Sequence, residues 1–332
     1  MPMSDKEEIH IALASDQGFY CGLRVTASSM AQYASKDVTL CFHVLDGGIK
    51  DEAFAEFRQG LSELHPSVRV IRHCVDEDSF KDCPQYAGSH LTYARLLLPT
   101  LLPDVRHVLY CDCDFLWRAD VAELWKEKDD SIILQSARDG FAETERREGE
   151  WFARNGYEFC AEKYFCAGLS FYNLELFREE GIAAKAFEFL NRHQDVNCAD
   201  QSAMNAILYG RVRLLPRKWQ TFTCLLTHAD LKEPVVLHYA DELPWKRLGR
   251  RLLTDPVMLW HRYNDTLLGT KGGSLALYFS LPEIIIKRTL DRLLQLAAFK
   301  ECFYFVLRRT GRGSYCGEFD TWSRNLGIGK IR

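Results

Sequence analysis

Asp112 and Asp114 stand one residue apart at the end of the apolar run Val108-Leu109-Tyr110-Cys111, and the chain turns apolar again at Phe115-Leu116-Trp117. Such a run reads as a buried strand whose end carries a pair of acids. Strand side chains alternate faces, so positions i and i+2 converge, either on the strand or as the chain turns out of the sheet. Two carboxylates that close repel one another, and a hard divalent cation is the natural offset. His238 ends another apolar run, Val235-Val236-Leu237, and an imidazole added to two carboxylates suits manganese. The ordinary alternatives are a solvated turn acid and a satisfied structural histidine.

These residues need a scaffold. Short β-like runs at residues 9–14, 38–45, 68–75 and 108–111 alternate with helical spacing at 20–34 and 49–64. A further helix at 91–98 is expected to stop at Pro99 and Pro103. Residues 121–125 open a short helix, and 131–137 and 165–174 read as strands. Helices are expected over 177–191 and 200–208, and a late strand over 235–239 delivers His238. The fold class is therefore α/β, with a mostly parallel sheet covered by helices. Ligands of such sheets sit beyond the carboxyl ends of the strands. Three strand ends carry acids there: Asp16, Asp46, and Asp112 with Asp114.

The 332 residues suffice for a large core, with 47% hydrophobic and 27% charged residues. A net charge of −4 argues against a nucleic-acid footprint. Twelve cysteines are scattered without any Cys-x-x-Cys pair, which points to a reducing cytosol rather than a disulfide scaffold. No window offers the ~18 apolar residues needed to span a bilayer. Residues 281–332 hold ten Lys/Arg against five Asp/Glu. Their first half mixes Ile284, Ile285, Ile286, Leu290, Phe299 and Phe303 with Lys287, Arg288, Arg292 and Lys300. That is the composition of a helix lying on an anionic membrane surface, or of one packed on its own domain.

Haloacid-dehalogenase-type phosphatases also place Asp-x-Asp after an apolar strand, with Asp112 then the nucleophile. That strand is usually near the N-terminus, and Thr or Val usually stands where this chain has Leu116. A nucleotide-sugar-binding protein without turnover is the non-enzyme alternative. Seven short motifs in order favour another reading. They are Ala14-Ser15-Asp16, Phe42-His43-Val44-Leu45-Asp46, Thr92-Tyr93-Ala94-Arg95-Leu96, Leu109-Tyr110-Cys111-Asp112-Cys113-Asp114, Phe165-Cys166-Ala167-Gly168, Asp200-Gln201, and His238-Tyr239 followed by Pro244-Trp245. Together these resemble the family-eight glycosyltransferases, retaining enzymes of the GT-A fold, and most closely bacterial galactosyl- and glucosyltransferases of lipooligosaccharide and lipopolysaccharide cores. The likeness covers about residues 9 to 247.

The resemblance implies a UDP-hexose donor, Mn²⁺ (with Mg²⁺ the alternative ion) and a glycan or glycolipid acceptor. Ala14, Asp16 and Phe19 would meet the uridine. Arg95 would reach the donor sugar or diphosphate, and Asp112, Asp114 and His238 would bind the metal, with Cys113 between the two acids. Ala167 and Asp200 would contact the donor sugar. Gln201 would lie near the anomeric carbon, opposite the leaving group. A neutral amide is a poor nucleophile, so front-face attack by the acceptor is favoured, with Asp200 the charged alternative for covalent catalysis.

Two departures stand out. The family usually has Gly and Lys between the late His and Pro-Trp, where this chain has Ala240-Asp241-Glu242-Leu243. Lys246 is the candidate replacement for that phosphate-contacting lysine. Cys166 stands where the family favours Asn. A GT-A catalytic domain is expected over residues 1–268, followed by a basic, aromatic helical region over 269–332. The expected location is cytoplasmic, peripheral on the inner face of the cell membrane.

Overall fold

The computed structural model describes residues 6–223, 236–240, 243–246, 253–270 and 272–294. Contacts divide the chain into two units, Met1–Gln220 and Thr221–Arg332.

In the first unit, β1 (Glu8–Ser15) leads into α1 (Tyr20–Tyr33), β2 (Thr39–Asp46), α2 (Asp51–Leu64) and β3 (Val68–Cys74). A 3₁₀ turn over Leu91–Leu97 runs directly into the short α3 (Leu98–Leu101). Then come β4 (His107–Cys111), β5 (Phe115–Leu116), α4 (Val121–Trp125), β6 (Leu134–Arg138) and α5 (Ala142–Arg154). The unit continues with β7 (Phe165–Asn173), α6 (Leu174–Glu179), α7 (Ile182–Arg192), α8 (Ala199–Ile207) and β8 (Val212–Leu215). The second unit contributes β9 (Thr221–Phe222), β10 (Leu237–His238), α9 (Asp255–Leu268), α10 (Gly273–Tyr278) and α11 (Leu281–Leu294).

Seven strands form one sheet in the order β3-β2-β1-β4-β7-β6-β8. All pairings are parallel except those of β7, which runs antiparallel to β4 and β6. The carboxyl ends of β1, β4 and β6 therefore share one sheet edge with the start of β7. Every residue of β4 and β7 is buried, as strands covered on both faces must be. Helix α2 shows how cover is achieved. Phe54, Phe57 and Leu61 recur at helical spacing and are its buried residues, while Asp51 and Glu52 complement the positive end of its dipole.

Two boundary expectations are corrected. Pro99 does not stop the helical stretch. It occupies the first turn of α3, where an absent N–H costs nothing. The helix expected over 177–191 is two helices, because Gly181 adopts a left-handed φ of 62° between α6 and α7. Helix α5 was not among the expected elements.

In the second unit β9 and β10 pair in parallel, placing Leu237 opposite Thr221 and His238 opposite Phe222. Gly269 ends α9 with φ 65° and Gly272 precedes α10 with φ 77°, so the glycine cluster separates two helices. Leu253, Val257, Leu275 and Phe279 form a small core there. Among the described residues, no helix is long and apolar enough to cross a membrane.

Candidate active site

The acid pair sits on a bend rather than on a strand. β4 ends at Cys111 and β5 begins at Phe115, so Asp112 to Asp114 carry the chain out of the sheet. Both sides of the bend are anchored. Asp112 N–H donates to Gly168 O at 2.8 Å, and the Cys113 thiol contacts Ala14 O at 3.1 Å. Beyond the bend, helix α1 also holds the chain. Thr26 Oγ1 donates to Phe115 O (2.8 Å) and accepts from Phe115 N (3.2 Å), and Ser29 Oγ accepts from Trp117 N (3.0 Å). This is why one face of α1 is made of small residues: the buried chain must approach its hydroxyls closely. The Asp112 and Asp114 side chains remain half-buried.

Arg95 organises the neighbourhood. It lies on the 3₁₀ turn, is only 4% exposed, and stacks over the Tyr110 ring at 4.2 Å. Its Nη2 donates to Asp112 Oδ1 at 2.8 Å, its Nη1 to Ala167 O at 2.6 Å, and its Nε pairs with Asp200 Oδ2 at 3.2 Å. Burial opposes its charge, yet Asp112 and then Asp200 raise its basicity well above the ordinary value, so it stays protonated. Asp112 Oδ1 also accepts from Tyr110 Oη at 2.9 Å.

Asp200 and Gln201 open α8, next to Ala199 with an uncommon left-handed φ of 49°. Asp200 is 3% exposed, and its Oδ1 accepts from Thr92 Oγ1 at 2.6 Å. Burial raises its carboxyl above the usual range, while Arg95 and Thr92 pull it back down. Gln201 Oε1 accepts from Ala167 N at 2.9 Å. Its Nε2 donates to Asp139 Oδ2 at 2.9 Å and lies 3.2 Å from Tyr164 Oη. The sequence reading missed Asp139. It follows β6 past a bulge between Ser136 and Arg138, is buried, and closes the turn before α5 by accepting from Phe141 N at 3.1 Å. The only local signal was Asp-Gly at a strand end, which ordinarily means a turn.

The structure thus gathers Arg95, Asp112, Ala167, Asp200 and Gln201 into one bonded cluster. Asp16 is placed separately. Its Oδ1 accepts from Phe19 N at 2.8 Å and closes the β1–α1 turn, beside half-buried Ala14 and Phe19. Cys166 is buried, its carbonyl accepting from Ser136 Oγ at 2.7 Å. In the second unit His238 is buried at the end of β10 and stacks on Phe222 at 4.9 Å. Lys246 is exposed after a turn. Asp241 and Glu242, between His238 and Pro244, lie outside the described residues. The strand-end acid Asp46 proves to be a turn organiser. Asp46 Oδ1 accepts from Gly48 N (2.8 Å) and Ile49 N (2.6 Å), and Arg72 covers Oδ2 at 2.5 Å.

Comparison with known proteins fits this geometry. The model of glycosyl transferase family 8 matches residues 10–249. The chain belongs to this family. General stress protein A of Bacillus subtilis (strain 168) is 26% identical over 273 residues, covering 73% of this chain and 89% of that protein. The structure of the galactosyltransferase LgtC with donor and acceptor sugar analogs superposes with a TM-score of 0.66 at 24% identity, covering 81% of this chain and all of that one. The apo bifunctional glycosyltransferase WbbM gives a TM-score of 0.65 at 19% identity, covering 84% of this chain and 53% of that one. This family-8 chain therefore has the GT-A fold and is a glycosyltransferase. The match does not favour the phosphatase alternative.

Proposed function

We propose that this glycosyltransferase is a retaining hexosyltransferase. It moves galactose or glucose from a UDP-sugar to a saccharide acceptor, a lipopolysaccharide, lipooligosaccharide or other surface glycan. The observation that carries the reading is the bonded cluster at the sheet edge, where Arg95 ties Asp112 to Asp200 and Gln201 is held against Ala167.

Asp112, Asp114 and His238 are the proposed ligands of Mn²⁺, with Mg²⁺ the alternative. Two carboxylates and an imidazole fit such an ion chemically. When bound, the ion supplies positive charge to the leaving diphosphate. Arg95 holds Asp112 in place through the oxygen it shares with Tyr110. Ala14, Asp16 and Phe19 are proposed for uridine, Lys246 for the diphosphate, and Cys113 and Cys166 as donor-lining residues. Ala167 and Asp200 are proposed for the donor sugar.

The state of Asp200 supports front-face attack. A nucleophile must be accessible, yet this carboxylate is 3% exposed, with one oxygen accepting from Thr92 and the other in an ion pair with Arg95. Gln201 then serves as a fixed dipole beside the oxocarbenium-like sugar.

For the membrane, α11 offers an apolar face. Leu281, Ile285 and Ile286 are 69%, 57% and 63% exposed. Arg288 and Arg292 turn instead to Asp255, at 3.0 and 3.2 Å. We place the enzyme on the cytosolic side, with residues 269–332 meeting an anionic surface.

The experiment is UDP release from UDP-galactose and UDP-glucose with and without Mn²⁺, then NMR of the product. Release with an α-configured product supports the reading. Phosphomonoester hydrolysis without any use of UDP-sugars would support the phosphatase. Tight UDP binding without turnover on any acceptor would support a binding protein.

A further inference from the structure

Behind Gln201 lies a second buried carboxylate that the proposed chemistry does not use. Glu148, on α5, is 0% exposed. Its Oε2 accepts from Tyr164 Oη at 2.9 Å and from Ser202 Oγ at 2.8 Å. Ser202 follows Gln201 in α8, and its Oγ also accepts from Cys198 N at 3.0 Å, across the left-handed Ala199. Glu148 therefore holds the first turn of α8 directly through Ser202, and reaches Gln201 through Tyr164.

The hydrogens can be accounted for. Burial, then Cys198 and Glu148, raise the Tyr164 phenol well above its ordinary value, so it keeps its single proton. That proton goes to Glu148, which leaves the phenol oxygen to accept from Gln201 Nε2. The other Nε2 hydrogen goes to Asp139, and one lone pair of Oε1 takes the Ala167 N–H. A flipped amide would set N–H against N–H at Ala167 and oxygen against oxygen at Asp139. One lone pair of Oε1 stays uncommitted. Donation from the NH₂ group to two acceptors also makes that oxygen more negative, by the cooperativity of linked hydrogen bonds.

We propose that Glu148 is a positioning residue: by taking the Tyr164 proton it makes the phenol oxygen an acceptor, which locks the Gln201 amide and fixes the direction of its free lone pair. The consequence for catalysis rests on the transferase reading. The positioning itself does not.

The test uses the full chain with Tyr164→Phe and Glu148→Leu, which removes the acceptor of the Tyr164 proton. The first readout is the Gln201 side-chain amide in ¹H–¹⁵N NMR, assigned by its loss in Gln201→Ala. Exchange of its protons with water should quicken about ten-fold in either variant, with a change in shift. Unchanged signals would overturn the proposal. The second readout is kinetic. kcat should fall about ten-fold while the donor KM and the UDP dissociation constant hold. The same substitution in a Gln201→Ala background should cost nothing further. A loss of equal size there would also overturn the proposal, since a merely structural role is additive. If Glu148→Leu does not fold, Tyr164→Phe removes only a hydroxyl and carries the same test. A parent chain inactive on every UDP-sugar would sink the transferase reading, and the NMR result would still decide the positioning.

Discussion

Arg95 and Asp112 are joined by a 2.8 Å ion pair, and the same guanidinium meets Asp200 at 3.2 Å. One buried cation thus couples the proposed metal bend to the proposed sugar-binding turn. Removing it leaves the Asp200 carboxylate buried without its counter-charge. Arg95→Ala should lose about 3–5 kcal/mol of stability in denaturant unfolding, the usual cost of breaking a buried pair. Arg95→Lys keeps the charge but lacks the planar fork that reaches Ala167 O and Asp112 together. It should fold with a smaller loss and turn over about a hundred-fold more slowly. A Lys variant with full activity would contradict this role.

Asp139 gives a separate expectation. Asp139→Ala removes the acceptor on Gln201 Nε2, a charge-assisted bond whose loss is worth about ten-fold or more. Steady-state kinetics should show that loss in kcat with little change in donor KM. Asp139→Asn, which still presents an oxygen, should be milder.

The strands β1, β2 and β3 carry a ladder of imidazoles. His10 Nδ1 lies 3.0 Å from His43 Nε2, and His43 Nδ1 lies 3.1 Å from His73 Nε2. Burial, then His10 and His73, lower His43 from 6.5 to about 3, and burial lowers the other two as well. Between about pH 6.5 and 3 the unfolded chain therefore binds more protons at His43 than the folded one, so stability rises with pH across that window. Acidifying from pH 7 to 4 should steadily lower the thermal midpoint. The slope should flatten in His43→Leu, and an identical slope would contradict the assignment.

Membrane association is tested by co-sedimentation with anionic vesicles. Deleting residues 281–332 should abolish pelleting. Ile285→Glu with Ile286→Glu should weaken it strongly, since each charge opposes burial of an apolar face. Pelleting that survives the deletion would remove this surface from the account.

Much of this was legible in the sequence because the signals were local. The Asp112-Cys113-Asp114 motif, the period-two and period-3.6 runs and the order of motifs gave the sheet, its covering helices and the residues of the proposed site. What was hidden depends on which side chains meet across the fold. Asp46 looked like a site acid, and only the pairing of β2 with β3 reveals Arg72 beside it. Asp139 and Glu148 lie in α5 or at its start, a segment too polar to announce itself by hydrophobic period. Pro99 misled because a proline that ends one helix is equally at home opening the next.

The central claim is a cation-dependent transfer from a UDP-sugar that works through the Asp112–Asp114 bend. Its most direct test is UDP release from UDP-galactose and UDP-glucose as Mn²⁺ is titrated, comparing the parent chain with Asp114→Asn. The parent should show saturable Mn²⁺-dependent release that EDTA abolishes, and Asp114→Asn should lose it at every Mn²⁺ concentration. Equal, Mn²⁺-dependent activity in the two proteins would contradict the account.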